Sequence, residues 1–476
     1  MFKKKYCNMS FLMFLFLLLP ITLASCTILN SVSDNTENVL GNENANNSQN
    51  QTPTPTPTAV QTPLESPEPT ANPPQEPTRI VYSGFAQHNR ANQRVVRAFN
   101  EQSDTVNVEY IEFAPYGQAQ IRLEAAIASG DTSFDVFDIN ALWVREMVRH
   151  GVLEHLDRFV ARDTEIISGM QHALLEAGNQ PDLTERSINF PGNSFFAIPK
   201  AFSIGVLAMR EDVNVSAPQS WNHLIGESIN FQEDGGAFGH VGSLGHFEET
   251  LRHIFEFIYG HGGWVTDANG NIDIVNQGAI NGLERLREVI TAGGMPRNNT
   301  TNTANFSGEN AADIFFSGDS AFLRADSDIW SRGNFSGSYG HVRFSIAPLP
   351  FENAPDNSTI MNGFLTAISV NSEYKGAAWE FIEFMVSPTG QRAFASTSGL
   401  IPAHIPSIMS REVLQSSPHF GLDAFRNLAV SAQVGLDSPR FRDEMQIIQI
   451  QFVQFLQGAQ TARETLENIQ QLVDNL

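Results

Sequence analysis

The sequence predicts an α/β protein, and three observations carry that prediction. Between residues 78 and 151, β-type runs alternate with helix-type runs, the order that builds a parallel sheet with helices on both faces. The chain beyond residue 77 is long enough to bury two cores, so two domains are expected. Phenylalanine is abundant (35) where tyrosine is scarce (7), which points to large apolar interiors.

The elements follow in order. Arg79–Tyr82 is a short β-run that ends at Ser83-Gly84-Phe85. Asn92–Asn100 places Val95, Val96, Ala98 and Phe99 at helical spacing, and Val106–Phe113 alternates as a strand does. Gln118–Ser129 reads as a helix stopped by Gly130-Asp131. Phe134–Ile139 is a buried-type strand, and Trp143–His150 a helix ended by Gly151. Residues 281–293, 376–386 and 441–458 are amphipathic helices, and a break at Gly458 leads to the terminal helix Thr461–Leu476.

In such a sheet ligands bind beyond the carboxyl ends of the strands. That selects Phe85 after the first strand and Asp138, Asn140 and Trp143 after the third. Asp138 and Asn140 offer polar groups and Trp143 a flat apolar face. The same residues also fit a structural role, with Asp138 or Asn140 capping the next helix and Trp143 packed within it.

The front of the chain is an address. Lys3, Lys4 and Lys5 precede an apolar run, Phe11–Leu19, and small residues lead to Leu23-Ala24-Ser25-Cys26. The run is short for a membrane span and has the layout of a secretory signal, 1–25. Its end resembles a lipobox, in which Cys26 becomes the lipidated N-terminus and acyl chains hold it at a bilayer at about 0.8 kcal/mol per buried CH₂. Cys7 lies within the signal, so Cys26 is the only cysteine of the mature chain, and an internal disulfide is excluded. Residues 26–77 then form a polar, Pro/Thr/Asn-rich tether with too little apolar content to order itself, a semi-rigid spacer. The formal charge of −23 argues against nucleic acid and against electrostatic docking on an anionic membrane.

From residue 78 onward the chain resembles the family 1 extracellular solute-binding proteins, the sugar-binding lipoproteins of ABC importers. The segments that carry the resemblance are Gly130–Asp138 with Trp143–Asp157, Phe196–Arg210, Pro218–Leu224, Phe315–Phe322, and Gly363–Ser369 with Ala377–Phe384. Each is weak alone; their order along the chain is specific. The resemblance implies a two-lobe, type II periplasmic-binding-protein-like fold whose lobes are joined by crossing strands. Ile204–Leu207 and Leu365–Val370, short apolar runs far apart in the chain, suit those strands. One lobe is expected at 78–203 plus 364–410 and the other at 204–363 plus 411–476. The implied protein is a monomer that captures a sugar or oligosaccharide by hinge closure and delivers it to ABC permease subunits, with no cofactor. A cell-surface glycoside hydrolase, or a receptor feeding a sensor, is the alternative.

Sugar clefts need aromatic faces for C–H surfaces and planar polar groups for hydroxyls. The stacking candidates are Phe85, Trp143, Phe202, Trp264, Trp330 and Phe364; the polar candidates are Asp138, Asn140, Arg324, Asp326 and Asn362. Trp379 has core-helix spacing, and Trp221 suits packing at a helix start. Where the family often carries a Gly-Pro-Trp-like turn, this chain has Arg324-Ala-Asp326-Ser-Asp328-Ile-Trp330. Arg324 there fits either an anionic group on the ligand or an internal pair with Asp326 or Asp328. His246, Glu249 and His253 are too widely spaced for one ion, and Asp267–Asp273 reads as a turn rather than a calcium loop. Motifs of hydrolytic or phosphoryl-transfer catalysis are absent from the sequence, and no metal is expected.

Overall fold

A computed structural model describes residues 76–476, apart from 114–115, 162–167, 169, 171–178, 181–193, 245–247, 268–269, 293–307, 332–341, 353–358 and 437. The expected signal, Cys26, the expected tether up to residue 75 and His246 lie outside the described residues.

The main strands are β1 (Thr78–Gly84), β2 (Val106–Glu112), β3 (Val136–Asn140), β4 (Ile198–Arg210), β5 (Phe238–Val241), β6 (Ser320–Asp326), β7 (Phe344–Ala347), β8 (Ile360–Ile368), β9 (Ile401–Pro402) and β10 (Gln433–Val434). The main helices are α1 (Asn89–Asn100), α2 (Tyr116–Ala128), α3 (Val144–Arg149), α4 (Trp221–Glu233), α5 (Glu248–Gly260), α6 (Gln277–Ala292), α7 (Gly308–Ser317), α8 (Lys375–Val386), α9 (Pro388–Ser398), α10 (Asp423–Ser431), α11 (Phe441–Leu456) and α12 (Ala462–Asp474).

β1 pairs in parallel with β2 and β3, as the alternation predicts. The sheet then turns antiparallel. β8 lies between β3 and β4, with Phe364 opposite Asn140 on one edge and Gly363 opposite Phe202 on the other. β4 is the connector. Its first half, to Ile204, pairs with β8; its second half, from Gly205, pairs with β6 and β7. β5 completes that second half, parallel to β6. The sheet is therefore mixed rather than parallel throughout, because both long strands return against the direction of their neighbours. β9 adds to β4 at Ala201 and Phe202, and β10 adds to β8 at Ile360 and Met361.

β4 is longer than the apolar run that announced it. Twelve of its thirteen residues are buried, Pro199 and Lys200 among them. The helices obey ordinary rules. α1 buries Ala91, Asn92, Val95, Val96 and Phe99, one face at 3.6-residue spacing. Ser387 caps α9, Pro388 stands in its first turn, and Gly399 ends it in the left-handed region at φ 74°. Thr461 and Glu464 form a reciprocal capping box at the start of α12. The helix expected from Trp143 is split: Ala141–Trp143 is a 3₁₀ turn, and α3 starts at Val144.

Candidate functional site

The ends of β1 and β3 meet the crossing strands β4 and β8 at one place. Phe85 follows β1, Trp143 closes the turn after β3, and Phe364 comes from β8. Their rings pack edge to face, Phe85 to Trp143 at 5.7 Å and Phe85 to Phe364 at 5.9 Å between centroids. His88 joins them, 4.6 Å from Phe364. All three predicted rings are only 2–3% exposed, so they face one another rather than an open surface. Phe202 is buried nearby in β4, opposite Gly363 and Ile401. Asn140 takes the capping role its position allowed and also bonds a neighbouring strand. Its Oδ1 accepts from the Leu142 N–H at 2.9 Å, capping the turn, and its Nδ2 donates to Asn362 Oδ1 at 2.7 Å. A planar amide pair thus spans β3 and β8 beside the rings.

Asp138 does not present its carboxylate to this place. Lys200 of β4 donates to Asp138 Oδ2 at 2.5 Å, to the Tyr82 hydroxyl at 2.9 Å and to Asn92 Oδ1 at 3.0 Å. Tyr82 donates to Asp138 Oδ1 at 2.8 Å, and the ammonium lies 4.3 Å from the Phe394 ring centre. Both side chains of the ion pair are fully buried. Burial lowers the Lys200 pKa from its ordinary value, with Asp138 opposing. Burial, then Asp138, raises that of Tyr82 well above its own. The polar group expected at the cleft is part of the frame beneath it, since a carboxylate left unpaired in this interior would be costly.

Arg324 and Asp326 are also turned inward. Arg324 holds Glu256 of α5 in a two-pronged pair, Nη2 to Oε1 at 2.6 Å and Nε to Oε2 at 2.8 Å, and donates to Asp326 at 3.0 Å. Arg252 bonds the other oxygen of Asp326 at 3.0 Å. Burial opposes ionisation of Asp326, yet Arg252 and Arg324 together bring its pKa down to about 2. The internal pairing open to Arg324 from sequence is the one formed, with Glu256 as the main partner. His240 and His253 stand beside this group, and neither ring nitrogen of His240 is hydrogen-bonded among the described residues.

The other tryptophans separate. Trp330 is half-buried against Phe344 and His419, at 5.3 and 5.6 Å. Trp264 lies in the loop after α5, 44% exposed, its Nε1 donating to Asp273 at 2.8 Å. Trp221 stacks on Phe257 and Trp379 on Phe159, both in the core. In the segment read as a turn, Asp267 carboxylate oxygens accept from the Asn271 backbone and side chain. Sequence reasoning missed Tyr82, His88, Lys200, Arg252 and Glu256. Their one signal was a charge or ring inside an otherwise apolar run, such as Lys200 within Phe196–Arg210.

A family model described as "Bacterial extracellular solute-binding protein" matches residues 94–421. The chain belongs to that family. Solved structures of solute-binding proteins share its fold, the two-lobe α/β architecture with crossing strands. A maltose-bound T. maritima protein superposes with TM-score 0.71 at 20% identity, covering 83% of this chain and 99% of its own. The GacH receptor of Streptomyces glaucescens, solved free and with acarbose, gives 0.70 at 16% identity over 84% and 98%. A Listeria monocytogenes ABC substrate-binding protein in complex with cycloalternan gives 0.70 at 17% over 84% and 98%. In sequence, a Deinococcus radiodurans chain described as a "Probable ABC transporter-binding protein" is 23% identical over 252 residues, which is 50% of this solute-binding protein and 59% of that relative. These relatives are binding proteins rather than enzymes. Among the described residues, no helix of this solute-binding protein is long and apolar enough to cross a membrane.

Proposed function

We propose that this solute-binding protein is a lipid-anchored, monomeric capture protein that takes up a neutral sugar or oligosaccharide by hinge closure and hands it to an ABC permease. The observation that carries the reading is the convergence of Phe85, Trp143 and Phe364 with the Asn140–Asn362 amide pair where β4 and β8 cross. Aromatic rings beside planar amides are the chemistry a saccharide requires. Proteins of the same fold bound to maltose, acarbose and cycloalternan support the solute class. Arg324 is engaged by Glu256 and Asp326, which favours an uncharged solute over a phosphorylated one.

In this reading the lobes are 78–203 with 364–410, and 204–363 with 411–476. β4, β8 and the segment at β10 are the hinge. Cys26 carries the lipid and residues 27–77 set the reach from the membrane. The ring cluster belongs to the first lobe, and closure brings the second lobe toward it with the solute between them.

A thermal-shift screen of the purified mature chain against saccharides, polyols, phosphosugars and peptides tests this. A saccharide at a hundredfold excess over its Kd stabilises by about 2.7 kcal/mol, a shift of several degrees. A response to peptides or phosphosugars alone overturns the sugar assignment. Turnover of chromogenic glycosides overturns the binding-protein reading itself.

A further inference from the structure

Helix α11 carries a contact that the ring cluster does not use. The helix is packed on the second half of the sheet, where Phe452 meets Phe255 of α5 edge to face at 6.2 Å. Its first turn reaches the other way. Arg442 Nη2 lies 2.7 Å from Glu124 Oε2 of α2 and 3.7 Å from Glu146 Oε1 of α3, and the Arg442 backbone N–H donates to Glu146 at 3.3 Å. α2 and α3 follow β2 and β3 in the first half of the sheet. Gln120 gathers the two carboxylates, its Nε2 donating to Glu124 at 3.1 Å and to Glu146 at 3.0 Å, and His150 Nδ1 stands 3.2 Å from Glu124. The side chains of Glu124 and Glu146 are 11% and 4% exposed and that of Arg442 is 34% exposed. Two nearly buried carboxylates in one half therefore meet an arginine supplied by the other.

A second contact shows how closely the halves approach. A Cβ built on Gly399, which ends α9, would lie 2.2 Å from the Cβ of Ser331, which follows β6. We propose that Arg442, seated on Glu124 and Glu146, is a latch that holds the two lobes in this closed arrangement before solute binds. The inference rests on the hinge reading above but not on the identity of the solute. Any rotation that parts α2 and α3 from the start of α11 breaks the 2.7 Å contact. Affinity then depends on the latch, because solute selects a closed state whose population Arg442 raises.

The test needs no solute. With Cys26 replaced by serine, Tyr374→Cys and Ile229→Cys place spin labels on exposed positions, one in each proposed lobe. Pulsed electron resonance of the solute-free chain is expected to give mainly one short distance. Arg442→Gln should move the closed-to-open ratio by about fivefold toward a longer distance, the effect of a partly exposed ion pair. Glu124→Gln should give a shift of similar size, and the double variant no more than the larger single one. In the chain with Arg442 intact, 1 M NaCl should produce the same shift without any latch substitution. Distances that respond neither to salt nor to Arg442→Gln overturn the latch, as does an additive double variant. Such a failure leaves the thermal-shift result for solute standing, and a failed screen leaves these distances standing.

Discussion

Gly205 and Glu256 occupy space that only one of them can fill. A Cβ added to Gly205 would lie 1.8 Å from Glu256 Oε1 and 2.8 Å from Arg324 Nη2. The crossing strand is bare at the point where it changes partners because a buried ion pair rests against its backbone. Gly205→Ala is therefore expected to displace the pair and destabilise the protein by about 3 kcal/mol, the scale of breaking a buried ion pair. The urea midpoint measures this. A shift under about 0.5 kcal/mol, the usual size of a harmless surface change, would mean the pair has room to move.

The Lys200–Asp138 pair makes a different demand. Lys200→Met leaves a buried carboxylate unpaired and Asp138→Asn leaves a buried ammonium, so each is expected to cost about 3–5 kcal/mol. The double variant should cost less than the two added together, since it leaves no uncompensated charge. Additive losses in a denaturation cycle would remove the pair from the frame of the site.

Acid should loosen the second half of the fold through its histidines. Burial, assisted by Arg324, lowers the pKa of His240 to about 3 and holds His253 well below its ordinary value. Between about pH 6.5 and 3 the unfolded chain takes up protons that the folded chain refuses, so stability falls as the pH falls. His240 contributes a slope of about 1.4 kcal/mol per pH unit within that window, and His253 adds in the same direction. His240→Leu should flatten the dependence between pH 6 and 4. Asp326, ionised down to about pH 2, adds its own loss only below about pH 4. An unchanged slope in the variant would show that His240 titrates normally.

Trp330 and Trp143 separate binding from packing. Trp143 is 3% exposed, so Trp143→Ala should cost stability by about 3 kcal/mol as well as solute affinity. Trp330 is half-buried, and Trp330→Ala should weaken the solute found by screening by more than about 1 kcal/mol with a smaller stability loss. Calorimetric affinities beside melting curves decide this, and unchanged affinity in both variants places the cleft elsewhere.

The sequence showed local order well and long-range partnership poorly. Strands β1, β2 and β3 and helices α1, α8 and α11 were legible because burial on one face leaves a period of 2.0 or 3.6. Gly458, at φ 77°, stands at the break expected after α11. As an apolar run β4 was legible only at Ile204–Leu207, because Pro199, Lys200 and Ser203 interrupt it although all three are buried; its fuller extent came from the resemblance carried by Phe196–Arg210. Lys200 is acceptable there only because Asp138, 62 residues away, meets it. Glu256 similarly lies 68 residues from Arg324. A charge inside an apolar run marks Lys200 and Glu256 as needing a partner without saying which, so Asp138 and Arg324 looked available for a ligand when folding had already engaged them.

The position of β8 governs the order in which the chain can become a protein. This strand sits inside the first half of the sheet, between β3 and β4, yet it is made more than 150 residues after β4 begins. Until residue 368 exists, β3 and β4 have no common neighbour, and their apolar edges stay unpaired. Closing so long a loop makes folding slow by comparison with a protein of local contacts. The first half of the sheet therefore closes only after residue 368 has been made, however early β1, β2 and β3 find one another.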